Sequence, residues 1–160
     1  MTHLYTRASE YGLLALQAMG REPDRYWTVE QICEQAHTPP EFTRKVLRQL
    51  VTAGILESVR GPTGGFILAR PPGEIRLIEV ILGLEKHSRF DRCILGFGEC
   101  TESQPCALHY MWSPIKAKAL HMLTSRNVKD LASAPIAKWE APTKRGSRRK
   151  ASKSASRRRP

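Results

Sequence analysis

L-R-Q-L-V-T-A-G-I-L-E-S-V-R-G-P-T-G-G-F-I-L-A, from Leu47 to Ala69, holds the end of a helix, its stop signal and a complete β-hairpin. Phe42, Val46, Leu47 and Leu50 recur at helical spacing and predict the buried stripe of a helix from about Pro40 to Thr52. Pro40 suits the first helical position, where its missing N–H would be unpaired in any case. Gly54 closes that helix. Ile55 to Val59 then reads as a strand, Arg60 to Gly65 as a turn, and Phe66 to Ala69 as the returning strand.

Upstream, Tyr11, Leu14, Ala15 and Ala18 share one face of a first helix that starts near Thr6 and ends at Gly20 and Pro23. Thr28 caps a second helix, with Glu30 and Gln31 in its first turn and Val29, Ile32, Cys33 and Ala36 on one side. On that apolar side Cys33 reads as a small core residue rather than a ligand. Three helices followed by a hairpin predict a mainly α fold with a small β-hairpin wing, a winged helix-turn-helix over residues 1–72.

Downstream, a fourth helix is expected from about Leu77 to Leu84, then a cysteine loop. Leu108, Trp112, Ile115, Ala119 and Met122 follow at alternating spacings of four and three, an a/d-type seam that predicts a long dimerisation helix. Pro114 leaves its start open, either near Cys106 or at Ser113. The cysteine loop and these helices make a second unit over 73–135, and 136–160 is expected to be a disordered basic tail.

The net charge of +11 is unevenly spread. Of 26 Lys and Arg, nine lie in residues 141–160, where no acid occurs, leaving 17 basic against 15 acidic residues, a net of +2, over 1–140. The tail therefore supplies sequence-independent attraction to phosphate, not specificity. No apolar run is long enough for a membrane span, and M-T-H-L-Y-T-R-A-S-E-Y-G-L-L has no secretory pattern. A cytoplasmic protein with no membrane partner is expected.

C-I-L-G-F-G-E-C-T-E-S-Q-P-C-A-L-H, from Cys93 to His109, gathers three of the four cysteines and a histidine beside Gly96, Gly98 and Pro105. In a reducing compartment such a cluster is more often a metal or redox site than a disulfide frame. Thiolates suit zinc, copper(I) or iron–sulfur clusters, with imidazole as an acceptable fourth ligand. His109 follows Cys106 at a spacing that puts both on one helical face. No general acid or base partner is evident, so an enzyme is not expected. His3, His37, His87 and His121 read as surface or capping residues.

V-R-G-P-T-G-G-F-I-L-A-R at Val59–Arg70, T-R-A-S-E-Y-G-L-L-A-L near the start, L-R-Q-L-V-T-A-G-I-L before the wing and C-A-L-H-x-x-W after the loop together resemble the Rrf-two family of bacterial winged-helix regulators, of the IscR, NsrR and CymR type. The resemblance spans roughly residues 4–133. It implies a homodimeric regulator of transcription, expected to be a repressor, that binds double-stranded DNA at a palindromic operator. Its cysteine-bearing subgroup carries an iron–sulfur cluster, 2Fe-2S or 4Fe-4S, at positions matched here by Cys93, Cys100 and Cys106. The first gap holds six residues where better-known members have five, which leaves the cluster type open. The fourth ligand is either His109 or Glu10, the latter matching a position that supplies a carboxylate in some members.

Base contacts in the major groove are expected from Glu41, Arg44 and Lys45 near the start of the third helix. Thr38 and Thr43 are expected to add hydrogen bonds to phosphate or bases, and Arg48 to reach phosphate. Arg60 beside Gly61 resembles the family residue that enters the minor groove. Gly64 and Gly65 allow the turn and a close approach to phosphate. Two other readings stay open: a regulator with a zinc site or reversible thiol oxidation, and a general nucleic-acid-binding protein driven by its tail.

Overall fold

The computed structural model describes residues 5–61, 64–85 and 90–135. The tail at 136–160, His3, His87 and the Pro62–Thr63 tip of the hairpin lie outside the described residues. The elements are α1 (Arg7–Met19), α2 (Val29–Ala36), α3 (Pro40–Thr52), β1 (Leu56–Val59), β2 (Gly65–Leu68), a 3-10 turn at Pro72–Glu74, α4 (Leu77–Leu84), α5 (His109–Ser125) and α6 (Val128–Ser133). This is the mainly helical fold with a small hairpin that the sequence predicts.

Local chemistry explains the helix ends. Thr6 caps α1 by accepting from the Ser9 N–H, and Thr28 and Gln31 form a reciprocal capping box on α2. His37 closes α2 in the left-handed region at φ 51°. The four-residue strands pair antiparallel, Leu56 opposite Leu68 and Val59 opposite Gly65. A third extended segment joins them. Trp27 N–H donates to Phe66 O at 2.8 Å, and Phe66 N–H donates to Trp27 O at 2.8 Å.

One core runs through the head and beyond it. Tyr11, Leu16 and Met19 of α1, Trp27, Ile32 of α2, Val46, Leu47 and Leu50 of α3 and Leu56 pack with Val80 and Leu84 of α4 and Val128 of α6. Phe42, expected in the buried stripe, is 40% exposed and meets Tyr11 edge-on, with ring centroids 5.2 Å apart. A smaller cluster joins Ile81 of α4, Phe90 and Ala119 of α5, so that a buried phenyl ring anchors the start of the cysteine loop.

The chain closes on itself through α1. Glu85, after α4, accepts from Thr6 N–H at 2.6 Å and from the Ser9 hydroxyl at 2.8 Å. Gln17 Nε2 donates to the carbonyls of Leu131, Ala134 and Pro135 at 3.1–3.3 Å, and Arg21 reaches those of Ala132 and Ala134. Arg70 donates to Glu79 at 2.7 Å, tying the end of the wing to α4 and holding the Glu79 carboxyl below its ordinary pKa.

Helix α5 begins at His109, between the two starts the sequence leaves open, and carries Pro114 inside it. Of the expected seam, Ala119 is buried and Trp112 half-buried, while Leu108, Ile115 and Met122 are exposed. Met111 joins that exposed apolar face, one turn before Ile115.

Gly65 is required by the Trp27 segment, because a Cβ there would stand 2.5 Å from the Trp27 carbonyl oxygen. Gly65→Ala is expected to lower folding stability by about 1–3 kcal/mol. Urea denaturation checks it; an unchanged midpoint would remove the argument for a close backbone approach.

Candidate nucleic-acid interface and cysteine loop

Helix α3 presents Glu41, Arg44, Lys45 and Arg48 to solvent, opposite its buried Val46, Leu47 and Leu50. The Pro39–Pro40 start leaves fewer unpaired N–H groups at the exposed beginning of the helix. Arg44 is held across the turn by Glu30 of α2 at 3.3 Å, an exposed pair that solvent weakens. The Glu30 carboxyl lies below its ordinary pKa, chiefly through its own backbone N–H, then through the Thr28 hydroxyl and Arg44.

Thr38 and Thr43 are not on this surface. Both are buried, and the Thr43 hydroxyl donates to that of Thr38 at 2.8 Å. Their polar atoms satisfy each other where α2 turns into α3, so the expected contacts with DNA are replaced by a bond that fixes the angle of the reading pair. Arg60 and Gly61 are exposed at the wing, with Gly61 at φ 122°. Gly64 and Gly65 serve the protein's own backbone: a Cβ on Gly64 would collide with the Val59 carbonyl, and one on Gly65 with Trp27.

The cysteine loop is a small hairpin. Arg92 pairs with Glu99, Cys93 N–H donates to Gly98 O at 2.9 Å, and Cys100 N–H donates to Asp91 O at 2.7 Å. Because side chains alternate along extended backbone, Cys93 and Cys100 fall together on the face opposite Arg92 and Glu99. Cys106 stands just before α5, where the His109 N–H donates to its carbonyl at 3.0 Å.

The sulfurs meet in two pairs. Cys93 Sγ lies 3.4 Å from Cys106 Sγ, and Cys100 Sγ lies 3.4 Å from His109 Nδ1. Among the described residues no three His, Cys, Asp or Glu side chains converge as a group that could hold a metal ion. His109 and Cys93 are buried, whereas Cys100 and Cys106 are half-buried. The Cys93 thiol is pulled below its ordinary pKa, first by the backbone N–H of Leu95, then by Cys106 and the amides of Phe97 and Gly96, against the opposing effect of burial. Glu10 sits half-buried on α1, where its charge adds to burial in raising the Tyr5 pKa. Cys33 is in the core, as its apolar neighbours predict.

Sequence reasoning missed three features. Phe90 as the loop's anchor has no periodic partner to announce it. The Thr38–Thr43 bond joins two residues that each read as surface polar groups. Trp112 Nε1 is buried without a hydrogen-bond partner among the described residues, although its ring was legible as part of the α5 seam.

Comparison with known proteins agrees with this geometry. The profile of Rrf2, described as an iron-dependent transcriptional regulator, matches residues 5–134. A chain from Aquifex aeolicus described as an HTH-type transcriptional regulator is 30% identical over 130 residues, covering 80% of this chain and 90% of its own length. The regulator IscR of Cronobacter sakazakii is 26% identical over 102 residues, covering 64% of this chain and 62% of its own. Among solved structures, CymR of B. subtilis, titled a global cysteine regulator, superposes with a TM-score of 0.70 at 22% identity, covering 83% of this chain and 98% of its own. IscR of T. potens superposes with a TM-score of 0.64 at 22% identity, covering 86% and 92%. These two structures establish the fold alone. No helix among the described residues is long and apolar enough to cross a membrane.

Thr43→Val would leave the Thr38 hydroxyl buried without its donor. We expect a loss of about 1–3 kcal/mol in stability, with DNA affinity per folded molecule unchanged. A thermal melt and a binding titration separate the two effects; full stability with weakened binding would return Thr43 to the DNA surface.

Proposed function

Because the chain belongs to the Rrf2 family of DNA-binding transcription regulators, we propose that it reads a palindromic operator as a homodimer, and that an iron–sulfur cluster in its cysteine loop sets its affinity for DNA. The observation that carries the cluster reading is the donor set. Three thiols and an imidazole meet pairwise at 3.4 Å, and amide N–H groups favour the anionic form of Cys93. Anionic sulfur in an amide-lined turn fits a soft, positively charged centre. Cys93, Cys100 and Cys106 would be the thiolate ligands. His109, whose Nδ1 lies 3.4 Å from Cys100 Sγ, is the fourth ligand we favour over Glu10.

Dimerisation is supported by the exposed apolar face of α5, where Met111, Ile115 and Met122 are each more than half exposed on a helix whose other side packs on α4. Two such helices, side by side, would place the two reading helices as symmetric heads for a palindrome. Within each head, Arg44 would leave the weak Glu30 pair to make a bidentate contact to guanine, with Glu41 and Lys45 beside it and Arg48 on phosphate. Arg60 and Gly61 would extend the wing toward the minor groove. The working compartment is the cytoplasm, where the DNA lies.

A cluster held by Cys93, Cys100 and Cys106 would supply a redox-active iron–sulfur centre to this loop. The protein's part is mechanical. Three engaged thiolates would tie the loop and the start of α5 to one point, whereas released thiolates leave that start held by the His109–Cys106 backbone bond, with Phe90 packing farther along α5 beside Ala119. A few kcal/mol of difference between the two states is enough to shift the spacing of the heads. A repressor reading follows if the tied state is the one that fits the operator.

Arg44→Ala is expected to lower discrimination between operator and random duplex by about 1–3 kcal/mol per half-site contact. Competition binding at fixed salt measures this, and equal loss on both DNAs would exclude base reading by Arg44. Cys100→Ala is expected to abolish the visible absorption of protein purified without oxygen while leaving the dimer folded. A colourless wild-type protein carrying stoichiometric zinc would replace the cluster with a structural Cys₃His site.

A further inference from the structure

We propose that Cys93 and Cys106 form a reversible disulfide within one chain when the loop holds no metal centre, and that Cys100 stays outside it. The two sulfurs are already in contact at 3.4 Å. Bond formation needs them to close by about 1.4 Å, a shift within reach of a short surface loop. Cys100 is the obvious competitor, since it shares a hairpin face with Cys93, but its sulfur lies against His109 Nδ1 at 3.4 Å. Cys33 is remote in the core of the head.

Exposure assigns the order of events. Cys106 is half-buried and Cys93 only 7% exposed, so Cys106 is the more accessible of the two residues and is assigned the first reaction with peroxide. Attack of the Cys106 thiolate on hydrogen peroxide breaks the O–O bond, giving a sulfenic acid and a hydroxide that takes up a proton. The Cys93 thiolate then attacks Cys106 Sγ. The S–S bond forms as the S–O bond breaks, and the departing hydroxide is protonated to water. Two thiols lose two electrons and one peroxide becomes two waters. A dithiol reductant reverses the reaction by exchange.

The disulfide consumes two of the three candidate thiolate ligands, so it excludes a cluster from the same loop. It also ties the loop to the residue from which α5 is launched, through Cys106 and the His109 N–H. The inference rests on the cluster reading only for its consequence at DNA, and the chemistry of the pair stands by itself.

The test uses the full-length metal-free protein, treated with one equivalent of hydrogen peroxide, blocked with N-ethylmaleimide, digested and analysed by mass spectrometry. The expected product is a peptide pair joined through Cys93 and Cys106, with Cys33 and Cys100 alkylated, and it disappears after dithiothreitol. Cys100→Ser should keep the link, and Cys106→Ser should lose it. A link through Cys100, a link between chains, or a Cys106 that advances to sulfinic acid without any link would each overturn the proposal. Anaerobic absorption spectra keep the two ideas apart: a cluster without the disulfide sinks this inference alone, and the disulfide in a protein that never takes up iron and sulfide sinks the cluster reading alone.

Discussion

Two backbone hydrogen bonds between Trp27 and Phe66 fix the hairpin against the segment that leads into α2. A two-stranded hairpin of four-residue strands is marginal by itself. Here its second strand is stitched to the segment that leads into α2, and the buried Trp27 ring sits beneath it. Trp27 Nε1 reaches Glu22 O at 3.4 Å, and the Arg25 guanidinium lies 4.3 Å from the ring centroid. The wing is thereby tied to the segment that leads into α2. The Thr38–Thr43 bond in turn ties the connection after α2 to α3, so wing, α2 and α3 are linked by successive hydrogen bonds.

The same logic joins the head to the rest of the chain. Helix α1 is packed by α2 and α3 on one side and by α4 and α6 on the other, and both of its ends are bonded to residues far along the sequence. A boundary drawn at residues 72 and 73 therefore passes through one continuous core containing Ile75, Val80, Leu84 and Val128. Where α4 ends, Glu85 caps α1, and Phe90 follows into the second cluster with α5. Ile81 and Phe90 pack with Ala119 of α5, and Leu13 of α1 packs against both this cluster and the main core, so side-chain packing is continuous from α5 to α1.

The elements of the head were legible because each carries a local signal stronger than its surroundings. Thr28 with Gln31, Pro40 at the first helical position and the glycines flanking the wing turn fix their boundaries through backbone chemistry that depends on neighbours a few residues away. What stayed hidden depends on distant partners. Phe42 has helical spacing with Val46, yet Tyr11 covers only its edge and leaves it half open. Thr38 and Thr43 look like polar surface until the turn brings their hydroxyls to 2.8 Å. In the candidate site, the ligand types and their order could be read directly, but which thiol meets which could not, because pairing is a property of register.

That register is the most constrained part of the loop. With Arg92 opposite Glu99, the chain turns through Ile94, Leu95, Gly96 and Phe97, and Cys93 and Cys100 emerge on a common face. Moving the pairing by one residue would send Cys100 to the opposite face, away from Cys93. The sixth residue between Cys93 and Cys100 is thus accommodated in the turn, with Gly96 at φ 81° and Gly98 at φ 108° allowing a bend that side-chain-bearing residues rarely adopt. Phe97, in this turn, is exposed to solvent. The longer gap is therefore compatible with bringing the same sulfurs together, and what it alters is the apolar tip that the loop displays.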